Sequence, residues 1–95
     1  MVRHIVLFKV KEEHKEEVLA LVEQFKTAKG EIECLSDFMI GEDFLHSSRS
    51  YDFGLIADFK TKEDLDTYSI HPIHVPFKTR MAEISEKVAA CDFEF

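Results

Sequence analysis

The hydrophobic residues of this chain follow two different periods, and the order in which these periods alternate limits the possible folds. Val2–Val10 alternates with a period of two among β-branched and aromatic types, as strands do. Residues 12–29 change to a helical period, and residues 35–42 return to the strand pattern. Residues 51–60 then start the same order again. The sequence therefore predicts two successive strand–helix–strand units.

The first helix carries clear boundary signals. Acidic residues open residues 12–29, and Lys26 and Lys29 lie near the end, which suits the helix dipole. Gly30 supplies the stop signal. The apolar stripe that predicts the buried side has helical spacing: Val18, Leu21, Val22, Phe25 and Ala28.

The second unit contains a broken helical segment. Thr61 begins a capping pattern that predicts a short helix over residues 61–68. Pro72 ends this helix, because the residue before a proline avoids the helical conformation. Pro76 suits the first turn of a third helix, where a missing N–H group costs little. Residues 87–95 alternate again and predict the last strand.

The resulting β-α-β-β-α-β order predicts an α+β, ferredoxin-like fold with a four-stranded antiparallel sheet and helices on one face. Ninety-five residues suffice for one core, so residues 1–95 are predicted to form a single domain. Such a sheet leaves its other face open.

The first strand is apolar on both faces. Val6 and Phe8 share the face predicted to meet the helices, whereas Ile5 and Leu7 point to the open face. Ile56 of the third strand points there as well. An exposed apolar patch is costly in a monomer, so we expect a homodimer that covers this face. The alternative is that these three residues are scattered surface apolars, which are normal.

The charge and hydropathy of the chain argue against two classes of partner. Lys plus Arg number 12 and Asp plus Glu number 19, so the net charge of −7 has the wrong sign for a phosphate-backbone binder. The longest apolar run, residues 18–22, is far shorter than a membrane span, and no signal-peptide core follows Met1. We therefore expect a cytoplasmic protein that binds neither nucleic acid nor a membrane.

The two cysteines, Cys34 and Cys91, are isolated and lack CxxC spacing. In a reducing cytosol, free thiols more often fill small core positions than form a disulfide. We expect both to be core residues.

Reactive side-chain types are densest over residues 68–74. Tyr68 and His71 are three residues apart, and the proline that follows makes a turn that can aim His74 elsewhere. A histidine accepts a proton near neutral pH and a phenol donates to a developing oxyanion, so such a pair could enolise a carbonyl compound. The alternative is structural: His71 caps a helix, Pro72 fixes the turn, and Tyr68 and His74 are satisfied core or surface groups.

His4 shares the helix-facing side of the first strand, where a buried imidazole needs a partner or a cavity. Its alternative role is a core histidine bonded to a backbone carbonyl. His4, His71 and His74 lack a carboxylate or cysteine at supporting spacing, so we expect no metal. Glycine-rich phosphate motifs are absent from the sequence, and we expect no cofactor.

Two segments resemble the stress-responsive α/β-barrel (Dabb) family. One is Val-Arg-His-Ile-Val-Leu-Phe-Lys at residues 2–9, and the other is Tyr68-x-x-His71-Pro72-x-His74-x-x-Phe77. The Asp-Phe-Glu ending at residues 92–94 and the Tyr-Asp pair at residues 51–52 also fit. The likeness covers essentially the whole chain.

The resemblance implies a dimeric α/β barrel in which two ferredoxin-like subunits pack sheet against sheet. Plant polyketide cyclases of this family catalyse an aldol-type ring closure without a cofactor. By resemblance, His74 would act as the base and Tyr68 as the donor that binds the carbonyl group. His4 would orient or polarise the substrate.

The chain departs from these cyclases on the third strand, where Phe53 stands in place of a histidine. A phenyl ring at that position could fill the space that a ligand needs. The His-Pro-x-His motif also occurs in members with no known activity, so it marks the fold better than it marks a reaction. Phe53, His71 and Phe77 are the remaining candidate ligand contacts.

Three functions remain open. The first is a homodimer whose small apolar pocket beside His4, Tyr68 and His74 binds a small carbonyl or aromatic compound. The second is a cofactor-free acid/base enzyme of the cyclase or isomerase type. The third is a structural or stress-protective dimer in which the motif only holds a turn. A haem-degrading or quinol monooxygenase, built on similar paired subunits, is disfavoured because the chain has no Trp.

Overall fold

The computed structural model describes all 95 residues, which form four strands and three α-helices. In chain order these are β1 (Val2–Val10), α1 (Lys15–Ala28), β2 (Asp37–Glu42), β3 (Phe53–Phe59), α2 (Lys62–Ser69), α3 (His74–Glu83) and β4 (Ser85–Glu94). Single-turn 3-10 helices flank α1 at Glu12–His14 and Lys29–Glu31. The predicted first helix is therefore regular only in its central part.

The strands form one sheet in the order β2-β3-β1-β4, and all neighbouring strands are antiparallel. The helices pack on one face of this sheet. This arrangement confirms the predicted α+β, ferredoxin-like fold. No helix in the structure has the length and hydrophobicity that crossing a membrane would require.

Three strand boundaries differ from the sequence prediction by two residues, for local reasons. β2 begins late, because the Leu35 N–H group donates back to the Ile32 carbonyl oxygen at 3.2 Å. β3 also begins late, since the Asp52 carboxylate accepts a hydrogen bond from the Val10 N–H group at 2.7 Å. β4 begins early, at Ser85, where it pairs with Val10 beyond a register shift.

The helix-facing side of the sheet forms the hydrophobic core. The alternating residues of β1 and β3 on this side are buried, as predicted: Val2, Val6, Phe8, Val10, Phe53, Leu55, Ala57 and Phe59. Above them, Phe25 of α1 stacks on Phe77 of α3 with ring centroids 4.3 Å apart. The aromatic stack joins the two helices over the centre of the sheet.

The opposite face of the sheet carries no helix. Ile5, Leu7 and Ile56 lie on this face, as predicted from the alternation of β1 and β3. The strand register places Met39 beside Ile56 and Cys91 beside Ile5, so an apolar row crosses all four strands. Met39 is 62% exposed. A single chain thus presents an uncovered apolar surface, which we call the open face.

The cysteines occupy different environments, and both are free thiols. Cys34 is partly buried against the core, and this burial raises the pKa of its thiol. Cys91 is exposed on the open face, so the expectation of a core position is wrong for this residue. The alternation of β4 directs its side chain away from the helices.

Candidate ligand-binding site

A cavity of about 230 Å³ lies between the sheet and the helices α2 and α3. Most of its lining is hydrophobic, including Val6, Phe8, Leu55, Phe77, Val88 and Ala90. The polar side chains that line it are His4, Tyr68, Ser69, His74 and Lys78. A mainly apolar cavity with a few convergent polar groups is the common form of a small-molecule site.

The turn between α2 and α3 brings two predicted site residues together. Tyr68 lies in the last turn of α2, and His74 is the first residue of α3. The His71 carbonyl oxygen accepts hydrogen bonds from the N–H groups of His74 and Val75, both at 2.9 Å. As a result, the Tyr68 and His74 rings stack with their centroids 4.0 Å apart and an interplanar angle of 25°.

The Tyr68 side chain is almost completely buried, and its hydroxyl group has no hydrogen-bond partner within the chain. Removal from water disfavours the phenolate, which raises the pKa of Tyr68 above its usual value. The group therefore keeps its proton at physiological pH. It is a hydrogen-bond donor without a protein acceptor, and such a donor is costly to bury.

His74 is buried, with 6% of the residue exposed. Burial lowers its pKa to about 4, and the positive charge of Lys78 acts in the same direction. Nδ1 lies 3.4 Å from the Ser69 carbonyl oxygen, to which the neutral ring donates. His74 is thus neutral at physiological pH, with Nε2 as the unprotonated nitrogen.

His4 reaches the cavity from β1, and its Nδ1 atom contacts the Asp92 carboxylate of β4. The two residues are direct partners in the register of β1 and β4. A carboxylate on Nδ1 orients an imidazole and leaves Nε2 as its other polar atom. The sequence reasoning assigned no role to Asp92, although the alternation of the last strand put it on the face opposite Cys91 and Phe93.

The remaining sequence candidates divide between the cavity and the surrounding fold. Phe77 lines the cavity. His71 lies outside it, where its Nδ1 atom accepts a hydrogen bond from the Ile73 N–H group at 3.1 Å and so supports the turn. Phe53 is buried in the core and is not part of the lining, so its phenyl ring does not fill this space.

Side chains that could hold a metal ion are not grouped in this structure. No cluster of three or more His, Cys, Asp or Glu residues has the required arrangement. His4 is the one cavity histidine with a carboxylate partner, and that contact uses Nδ1.

The fold and the cavity together define a small ferredoxin-like protein with an apolar site between its sheet and its helices. The chain belongs to the stress responsive A/B barrel domain (Dabb) family, whose model matches residues 2–95. This match confirms the resemblance found in the sequence. No curated protein matches the chain.

Solved structures show how far the likeness extends. A dimeric ferredoxin-like protein of unknown function from Bacteroides fragilis is 30% identical, with 99% of this chain and 95% of that chain covered and a TM-score of 0.80. An Arabidopsis thaliana protein is 26% identical, with 100% and 95% covered and a TM-score of 0.82. An antibiotic biosynthesis monooxygenase is 12% identical, with 100% and 98% covered and a TM-score of 0.85, which shows the fold alone.

The buried neutral state of His74 predicts a pH dependence of stability. In the unfolded chain His74 has its ordinary pKa of 6.5, whereas in the folded chain its pKa is about 4. Between these two values the unfolded chain binds a proton at His74 and the folded chain does not. This contribution is fully present above pH 6.5 and is lost as the pH falls towards 4, by up to about 3 kcal/mol at about 1.4 kcal/mol per pKa unit.

Urea unfolding of the wild type and of His74→Gln at pH 7.5 and pH 4.5 measures this contribution. The glutamine variant lacks the titrating group, so the wild type should lose more stability than the variant on acidification. Effects of other groups cancel in the difference. Equal losses of unfolding free energy in the two proteins would contradict the lowered pKa of His74.

Proposed function

We propose that this protein binds a small apolar carbonyl or aromatic compound in the cavity beside His4, Tyr68 and His74, and that it works as a cytoplasmic homodimer. The observation that carries the binding proposal is the cavity itself, which is lined by aromatic and aliphatic side chains. Its few polar groups include a phenol without a protein acceptor. A carbonyl oxygen of the ligand would give this donor an acceptor once a shift of the Tyr68 ring brings the hydroxyl group within reach.

Two properties of the site favour binding over turnover. With a pKa of about 4, His74 is a poor base at neutral pH, because general-base catalysis is most effective when the pKa lies near the working pH. The Tyr68 hydroxyl group is fully enclosed, so its ring must shift before the group can reach a bound molecule. An apolar ligand can occupy the cavity without proton transfer to His74 and without a shift of the Tyr68 ring.

Filling the cavity should weaken binding. Ala90 lines the cavity from β4 and is itself exposed. In Ala90→Trp, the indole ring occupies the space, and we expect the affinity for 4-propylacetophenone to fall by tenfold or more, about 1.4 kcal/mol. Binding is measured by NMR from the ring signals of His74 during titration with the ketone.

The matched control is Ala20→Trp, which adds the same ring at an exposed position of α1 outside the cavity. This variant should bind like the wild type. If neither 4-propylacetophenone nor any other member of a panel of small aromatic and aliphatic ketones shifts the His74 signals, the binding proposal is wrong. A structural role for the motif would then account for the turn contact between the His71 side chain and the Ile73 N–H group.

A cofactor-free acid/base enzyme is the second candidate, and the His4–Asp92 contact favours it. A carboxylate-oriented imidazole is a common proton-transfer arrangement. The stacked pair of Tyr68 and His74 lies beside it, with the Tyr68 and His4 ring centroids 6.2 Å apart. These groups could remove a proton next to a carbonyl group and stabilise the enol that forms.

The exchange of α-hydrogen for deuterium in 4-propylacetophenone, followed by NMR in D₂O, tests this second candidate. An enzyme should accelerate the exchange over buffer, and Tyr68→Phe should slow it by about 100-fold while the fold is kept. The phenylalanine ring preserves the stacking surface and removes only the hydroxyl group. Exchange at the buffer rate in the wild type excludes the activity for this ketone and leaves the binding proposal intact.

The homodimer proposal rests on the open face. Its apolar row crosses all four strands, and sheet-to-sheet packing with a second copy would remove this row from water. The related protein from Bacteroides fragilis is described as dimeric. Because a dimer of this kind leaves the helix-facing side free, each copy would retain its own cavity.

A charge on the open face should separate the copies. Leu7→Glu places a carboxylate in the proposed interface, where an unpaired buried charge is strongly unfavourable. We expect the wild type to show twice the 11.1 kDa chain mass by light scattering and the variant to show the mass of one chain. Leu19→Glu on α1 is the control, because Leu19 and Leu7 are similarly exposed at 41% and 39%. A monomeric wild type would refute the dimer.

A further inference from the structure

The charge at the cavity is unevenly distributed. Among the residues that line it, Lys78 is the one with a permanent charge, and no Asp or Glu is part of the lining. Lys78 is exposed and forms no salt bridge in the structure. The cavity is therefore apolar in its depth and carries an unpaired ammonium group at its edge.

The position of this ammonium group is defined by two hydrogen bonds. Lys78 Nζ donates to the Ser69 carbonyl oxygen at 2.8 Å and to the Ser69 hydroxyl oxygen at 3.3 Å. The first bond satisfies a carbonyl group at the end of α2, which is a structural role. An ammonium group has three donors, so one remains available.

Ser69 adds a second donor at the same point. Its hydroxyl oxygen accepts the hydrogen bond from Lys78, so its own proton is free to donate. Lys78 also lies one helical turn beyond His74 on α3, and its charge contributes to the lowered pKa of His74. Two converging donors and a positive charge thus sit beside the aromatic part of the cavity.

We propose that the cavity selects ligands with an anionic head group, a carboxylate on a small aromatic or alkyl body. The carboxylate would bind Lys78 and Ser69 at the edge, and the apolar body would lie against Phe8, Phe77 and Val88. Charge-assisted hydrogen bonds of this kind are stronger than neutral ones. This inference rests on the proposed binding function and specifies its ligand class.

The net negative charge of the chain and the nearby Asp92 carboxylate must be weighed against this selectivity. The chain has a net charge of −7, which repels anions at long range, so recognition must come from short-range contacts. Asp92 lies near the site but is bound to His4 on the strand side of the cavity, whereas Lys78 is on α3. The donors that face an incoming carboxylate on the helix side are those of Lys78 and Ser69.

A matched pair of ligands tests the proposal. 4-Propylbenzoate and 4-propylbenzyl alcohol share one body and differ in the charge of the head group. By calorimetry, we expect the wild type to bind the benzoate at least tenfold more tightly than the alcohol. Lys78→Met, which keeps an unbranched side chain without the charge, should reduce this ratio to about one, mainly by weakening the binding of the benzoate.

Lys78→Arg should restore most of the preference, and Lys26→Met, at a lysine of α1 outside the cavity, should keep it fully. Circular dichroism checks that each variant is folded, since Lys78 also supports the end of α2. If the wild type binds both ligands equally, or if the preference survives in Lys78→Met, the head-group assignment is wrong and the binding function stands. If neither probe and no ketone of the panel binds, both proposals fail.

Discussion

The structure depends on the way three helices cover a four-stranded sheet unequally. Phe25 of α1 and Phe77 of α3 stack over the sheet, and the helix-facing residues of β1 and β3 are buried beneath the helices. β4 is an edge strand, and its helix-facing residues Val88 and Ala90 remain exposed. The cavity is the space between this uncovered strand and the α2–α3 corner. It is therefore a consequence of the topology rather than of a single residue.

The polar groups deep in the cavity are neutral, whereas the one at its edge is charged. Tyr68 and His74 lie where water is excluded, and burial shifts the pKa of each in the direction that keeps it neutral. Lys78 lies at the edge, where its ammonium group stays charged and contacts Ser69. The interior is suited to an apolar body and the edge to a polar head group. This division supports binding, and it makes acid/base chemistry by His74 harder.

Much of the fold was predictable because its elements follow local periods. β1 has the predicted bounds, and the helix-facing and open faces of β1 and β3 are as expected. Strand ends were less predictable, because they depend on bonds between distant residues, such as that from the Val10 N–H group to the Asp52 carboxylate. In the site, the structure brings His4, Tyr68 and His74 together as expected. The contact of Asp92 with His4 was missed, since it follows from the register of β4 on β1.

Hydrophobic period and local backbone preference set the order of strands and helices, the two-faced character of β1 and the broken helix around Pro72, so these features could be predicted from the residues alone. Which side chains share the cavity depends instead on how the elements pack against one another. This packing places Phe53 in the core and His71 in the turn, and it puts Lys78 at the cavity edge beside Ser69. The physical reason is that the packing angle between helices and the pairing of strands depend on the whole core, whereas the period of a segment depends on that segment alone.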